Sequence, residues 1–239
     1  MSRLASSWPL SFVLTFAVAG ISLPTVAHDL DDLAVGTVRN FGPNLQTTAD
    51  GLCRQPEGLA IDGDGNLYAA SNSDSATTVG HVCVINDVGR LVDIIAVPAG
   101  PGASAIGLLG ELFEDGSLYV LDQADNLQPH GRILKIDPHT HDVTTVASGM
   151  AFPNGMAEDR RGNIYVADSL LGTIFKLSKE SSQLSVWFKD AALLSRNPNQ
   201  NVGANDLAFD AEQHFLYVDN AGNRQVLRVP VDEDGGRQD

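Results

Sequence analysis

Pro153-Asn154-Gly155-Met156-Ala157-Glu158-Asp159-Arg160-Arg161-Gly162-Asn163-Ile164-Tyr165-Val166-Ala167-Asp168 is the stretch whose reading decides the fold. A short apolar strand ends in an Asp-x-x-Gly-Asn turn, and a second, alternating strand returns. Asp and Gly suit such a turn because both tolerate left-handed backbone at low cost. The unit recurs upstream as Pro56-Glu57-Gly58-Leu59-Ala60-Ile61-Asp62-Gly63-Asp64-Gly65-Asn66-Leu67-Tyr68-Ala69-Ala70. A weaker copy runs from Ala105 through Glu114-Asp115-Gly116-Ser117-Leu118-Tyr119-Val120. A fourth reads Ala204-Asn205-Asp206-Leu207-Ala208-Phe209-Asp210, then Phe215-Leu216-Tyr217-Val218-Asp219.

Tyr68, Tyr119, Tyr165 and Tyr217 stand 51, 46 and 52 residues apart. A period of about 40–50 residues is that of propeller blades. A third strand follows each unit, at 81–85, 132–136, 173–177 and 225–229, and a fourth is visible at 143–146 and 184–188. Four antiparallel strands per unit make a blade. Helical periodicity is absent beyond the N-terminus, and 191–194 makes at best one turn. The expected class is all-β, a β-propeller of the six-bladed type with about four to five blades present. Residues around Val35–Asn40 are expected to lend a strand to another blade.

The first 27 residues read as a leader. Arg3 precedes the apolar run 12–21, and Pro24, Thr25 and Ala27 supply a helix breaker and small residues, with cleavage expected after Ala27. The alternative is a retained anchor, but the run falls short of the roughly 20 apolar residues a span needs. Residues 28–239 then form one propeller domain, secreted or periplasmic. The net charge of -15 and acidic pI near 4.5 argue against nucleic acid and anionic membranes as partners, both of which demand basic patches. Cys53 and Cys83, 30 residues apart, are expected to form one disulfide, with buried free thiols the alternative.

One column carries candidate chemistry. Glu57 stands eleven residues before Tyr68, Asn154 eleven before Tyr165, and Asn205 twelve before Tyr217; in the second unit the column falls near Leu108. This position starts the innermost strand of a blade, so side chains from different blades converge on the central channel. One carboxylate and two amide oxygens are hard donors of the kind calcium prefers. The plainer alternative is that each polar residue caps a turn or lines a wet channel.

Gln55-Pro56-Glu57-Gly58-Leu59-Ala60-Ile61-Asp62, Phe152-Pro153-Asn154-Gly155-Met156 and Gly203-Ala204-Asn205-Asp206-Leu207-Ala208-Phe209 resemble the SMP-30/gluconolactonase-like (LRE-like) family of six-bladed propellers. That family is close in design to paraoxonases and other calcium-dependent lactonases. The resemblance covers most of residues 28–239. It implies one divalent cation in the channel, usually Ca2+, with Zn2+ or Mn2+ accepted by some members. It places Glu57, Asn154 and Asn205 at the ligand positions and gives the cation the task of polarising a lactone or ester carbonyl.

Two features depart from the family. Asp206 stands where a glycine is usual, and the acidic ligand of a later Pro-Asp-Gly copy has no counterpart before Asp239. Asp206 is the candidate to replace it as general base. Six blades at about 45–50 residues each need more chain than 28–239 holds, so a C-terminal truncation is expected. The expected function is a metal-dependent hydrolase of small lactones or related esters, monomeric. A non-catalytic binding platform of NHL type is the rival, and an inactive fragment a third possibility. His81 and His130 are candidates for a proton shuttle, with a structural role preferred for both. Gly-x-Ser-x-Gly and phosphate-loop motifs are absent.

Overall fold

The computed structural model describes residues 40–45, 51–72, 77–125 and 129–232. The leader, its cleavage site after Ala27 and residues 35–39 lie outside the described residues; Asn40 is in no strand. The described residues form fifteen strands in four antiparallel sheets. The first holds β1 (Pro56–Ile61), β2 (Leu67–Ser71), β3 (Val79–Ile85) and β4 (Leu91–Pro98). The second holds β5 (Leu108–Glu114), β6 (Ser117–Asp122), β7 (Gly131–Ile136) and β8 (Val143–Met150). The third holds β9 (Pro153–Glu158), β10 (Ile164–Asp168), β11 (Thr173–Leu177) and β12 (Leu184–Lys189). The fourth holds β13 (Ala204–Phe209), β14 (Phe215–Asn220) and β15 (Gln225–Pro230). In every sheet the strands pair in chain order, and no α-helix occurs among the described residues. A 3-10 turn at Ala191–Leu193, capped by the Asp190 carboxylate, is the short turn expected at 191–194.

The recurring turn has a local cause. The Asp62 carboxylate accepts from the amides of Asp64 and Asn66, from Asn66 Nδ2 and from the Tyr68 hydroxyl. Asp159 does the same for Arg161, Asn163 and Tyr165. One aspartate thereby satisfies the donors of the turn and anchors the tyrosine of the returning strand. Gly162, at φ +78, takes the left-handed position that the turn requires.

The core lies between sheets. Ala60, Tyr68, Val82 and Ile95 of the first face Ile106, Leu108, Leu118 and Leu134 of the second. Leu121, Ile133 and Met150 meet Met156, Val166 and Leu177 of the third. Tyr165 and Ile174 meet Leu207, Leu216 and Val218 of the fourth, with Tyr165 edge-on to Trp187 and Phe209 at 5.1 Å. The second and third sheets therefore bury both faces by stacking on their neighbours, whereas the first and fourth each stack on one neighbour among the described residues.

A hydrogen bond at the start of each inner strand repeats as well. The residue after each second strand donates its amide to the carbonyl just before the inner strand: Asn72 to Gln55, Gln123 to Gly107, Ser169 to Phe152 and Ala221 to Gly203. Buried polar side chains reinforce it. Asp168 accepts from the amides of Ala151 and Phe152, and Asp122 from Gly107. Asp122 also pairs with buried Arg132 at 2.8 Å. These contacts hold the start of each inner strand in place.

At the opposite end of the inner strands, Glu158 lies beside Glu114 and below Lys179, which pairs with Asp115 at 2.8 Å. Lost hydration and the Glu114 charge push the Glu158 pKa up from 4.5 to about 7, against the opposing pull of Lys179. Glu158 ionises at a higher pH in the folded chain than in the unfolded one. Its effect on stability is therefore most favourable below about pH 4.5 and declines as pH rises to about 7. Glu158→Gln is expected to unfold at a higher urea midpoint than wild type at pH 8 and at a similar one at pH 4. Parallel midpoints at both pH values would refute this.

Candidate functional site

β1, β5, β9 and β13 are the innermost strands, and each packs on the next. All four carry a register irregularity at the same place: between Pro56 and Leu59, Leu108 and Glu111, Pro153 and Met156, and Ala204 and Leu207. Two residues on the inner strand there oppose one on the second strand. Such a bulge bends the strand and re-aims a side chain, and it is a device found beside active sites.

The bulged residues converge on one cavity of about 250 Å³. Glu57, Asn154, Asn205 and Asp206, each expected from the sequence, all line it. The second blade differs from expectation by one residue. Leu109, not Leu108, shares the column, because Leu112 pairs with Tyr119 across a turn one residue shorter than the Ala60–Tyr68 and Ala157–Tyr165 turns. The fourth blade has the longer turn expected, with Ala208 opposite Tyr217.

Glycines let the inner strands approach one another. A Cβ on Gly110 would lie 2.6 Å from the Asn154 carbonyl oxygen, and one on Gly155 would lie 2.6 Å from that of Asn205. Gly58 meets the Leu109 carbonyl in the same way. Asp206 occupies the fourth of these positions, so its side chain stands where the other blades have none.

Hydrogen bonding orients Asn154. Ser169 Oγ donates to the Ala204 carbonyl at 2.6 Å, which uses its only proton. It can then only accept from Asn154, whose Nδ2 lies 3.2 Å away. The donor end of the amide is committed, and Oδ1 remains for the cavity. Glu57 is exposed at the cavity mouth, and its carboxylate has no hydrogen bond or ion pair among the described residues. Asp206 Oδ1 accepts from the Leu207 amide at 2.9 Å, and the Asp206 amide donates to Asp219 at 2.6 Å. Desolvation, with the Asp219 charge added, pushes the Asp206 pKa up.

A further acid belongs to the cavity that the sequence reading did not single out. Glu111 is 9% exposed and lines the wall. Its register equivalents are Leu59, Met156 and Leu207. The signal was present, as a charged residue within the apolar run Leu108–Phe113, but the faint second repeat concealed its register.

The other candidates lie elsewhere. Cys53 and Cys83 are joined as a disulfide, with Cα atoms 6.0 Å apart, on the first sheet. Neither His81 nor His130 lines the cavity, which removes the geometric basis for either as a shuttle there. His130 lies 3.3 Å from Asp125, and burial lowers the His81 pKa. His139 and His141 occupy the exposed β7–β8 turn, His141 pairing with Asp93 at 2.7 Å. A second cavity, lined by Glu114, Lys135 and Lys179 among others, lies away from the column.

Comparison with solved structures decides the architecture. A periplasmic gluconolactonase of Pseudomonas aeruginosa, PpgL, superposes with a TM-score of 0.56 at 20% identity over 77% of this chain and 55% of that one. The chain is a β-propeller. A chain of the nidogen/laminin complex matches with a TM-score of 0.56 at 17% identity, over 74% of this chain and 61% of that one. An auxiliary nutrient binding protein of Bacteroides thetaiotaomicron matches at 0.52 and 16% identity, over 76% of this chain and 40% of that one. The propeller thus spans between 40% and 61% of the length of these chains. No family model and no curated protein matches the sequence. Among the described residues of the propeller, no helix is long and apolar enough to cross a membrane.

The donor set suits a hard cation. It combines carboxylate and amide oxygens with neither thiolate nor imidazole, and it includes an orphaned buried carboxyl, as both Oε atoms of Glu111 lack a hydrogen-bond partner. No group of three or more His, Cys, Asp or Glu side chains poised for a metal occurs among the described residues, so such a site depends on its amide oxygens.

Proposed function

We propose that this propeller is a divalent-cation-dependent hydrolase of lactones or related esters, of the SMP-30/gluconolactonase type and acting outside the cytoplasm. The observation that carries this reading is the convergence of Glu57, Asn154 and Asn205, from three inner strands at matching bulges, on one cavity. These three residues would hold the cation, calcium by preference for oxygen donors. When bound, it supplies electrophilic polarisation of the substrate carbonyl.

The chain's own residues do the rest. Ser169 holds the Asn154 amide with its oxygen toward the cavity. Asp206 is the proton acceptor for the attacking water: Leu207 engages Oδ1, leaving Oδ2, and desolvation raises its proton affinity. Leu59, Leu109, Met156 and Leu207 supply apolar wall, on which a lactone ring can lie.

Calorimetric titration of the full chain with Ca2+ tests the cation. Binding by wild type and a loss of about tenfold or more in Glu57→Gln are expected, since the amide keeps the shape and removes the charge. No binding by wild type, or equal affinity in the variant, would sink the site. A panel of lactones separates this enzyme from a non-catalytic platform, which would turn over none of them.

A further inference from the structure

We infer that Glu111 is a fourth protein ligand of the channel cation and its second carboxylate ligand, beside Glu57. This rests on the cation reading above and extends it to a residue outside the repeat column. In β5 the acid takes the register position that the other three blades fill with Leu59, Met156 and Leu207. Met156 and Leu207 are buried there, although Leu59 of the first blade is exposed, and an ionisable side chain without a partner is unfavourable in such a buried place. Glu111 nonetheless stands there at 9% exposure, with neither carboxyl oxygen hydrogen-bonded.

Gly58 makes room for Glu111, since a Cβ there would stand 2.7 Å from Glu111 Cγ. Gly58 follows Glu57 directly, and both residues line the cavity that Glu111 lines from the adjoining strand. The neighbouring blades therefore bring two carboxylates to the cavity that Asn154 and Asn205 also line. Two formal negative charges balance a divalent cation, whereas Glu57 alone leaves it half compensated. Calcium takes 6–8 oxygens, so a further carboxylate replaces water rather than crowding the ion.

Ca2+ calorimetry and Tb3+ luminescence on the full chain test the assignment, with Glu111→Gln and Glu111→Met as variants. The methionine copies Met156 and keeps the gap filled if the glutamine does not fold, and a cation-free thermal melt checks each variant. The expected result is a Ca2+ affinity weaker by about tenfold or more in both. The luminescence lifetimes in H2O and D2O should show at least one more water on Tb3+ than in wild type. Affinity and hydration equal to wild type, alongside weakened binding in Glu57→Gln, would overturn the inference and leave the channel site standing. A wild-type chain that binds neither ion would overturn the cation reading, and this inference with it.

Discussion

Replacing both Cys53 and Cys83 by alanine is expected to lower the unfolding free energy by about 3.5 kcal/mol, the chain-entropy value for a loop of this length. The bond closes a separation of 30 residues. Both cysteines are fully buried, Cys83 in β3 beside Ala69 and Ile94. Cys53 ends the segment that leads through Gln55 into Pro56 and Glu57. The bridge therefore straps this segment across the first blade, while Ser71 Oγ donates to the Arg54 carbonyl next to it. Without it the unfolded chain regains the freedom of the loop, and the folded chain loses the anchor of β1. Urea unfolding under oxidising and reducing conditions measures the effect. Wild type under reducing conditions should fall to the midpoint of the double variant, and a variant that unfolds with the oxidised wild type would refute the prediction.

Gly58→Ala is the other large effect expected, a loss of about 3 kcal/mol from overpacking. The new Cβ would run into the Leu109 carbonyl, a backbone atom of the adjoining strand, and would press on Glu111 Cγ. Relief requires β1 and β5 to separate along the wall of the cavity. For a domain of this size, such a loss lowers Tm by roughly 6–12 °C. Gly63→Ala is the control: a Cβ there meets nothing within 4 Å, and its φ is not positive. Its melt should match wild type. Equal melting of Gly58→Ala and wild type would show that β1 and β5 are not as closely packed as described.

The strands and their order follow from local chemistry. The alternation around Tyr68 and Tyr165, and an aspartate that binds its own turn within six residues, require nothing distant. The same locality made Glu57, Asn154 and Asn205 visible as a column, because equal turns keep equal spacing. Where the turn shortens at Asp115-Gly116, equal spacing points near Leu108, whereas Leu109 holds the place. A slip of one in a strand exchanges the two faces. That error kept Glu111 hidden, although its charge stands out in an apolar run.

What the sequence by itself determined, then, is the all-β blade, its repeat and the three polar residues that open three of the inner strands. These depend on contacts within a single unit, which residue order states directly. Only the tertiary structure decided that the bulges aim these residues into one cavity, that Leu109 fills the fourth place, and that Glu111 is buried beside Gly58 without a partner. Each of these depends on how one blade stacks against the next. The stacking is set by steric contact between backbones more than fifty residues apart, such as Gly58 against Leu109, and no spacing within a repeat encodes it.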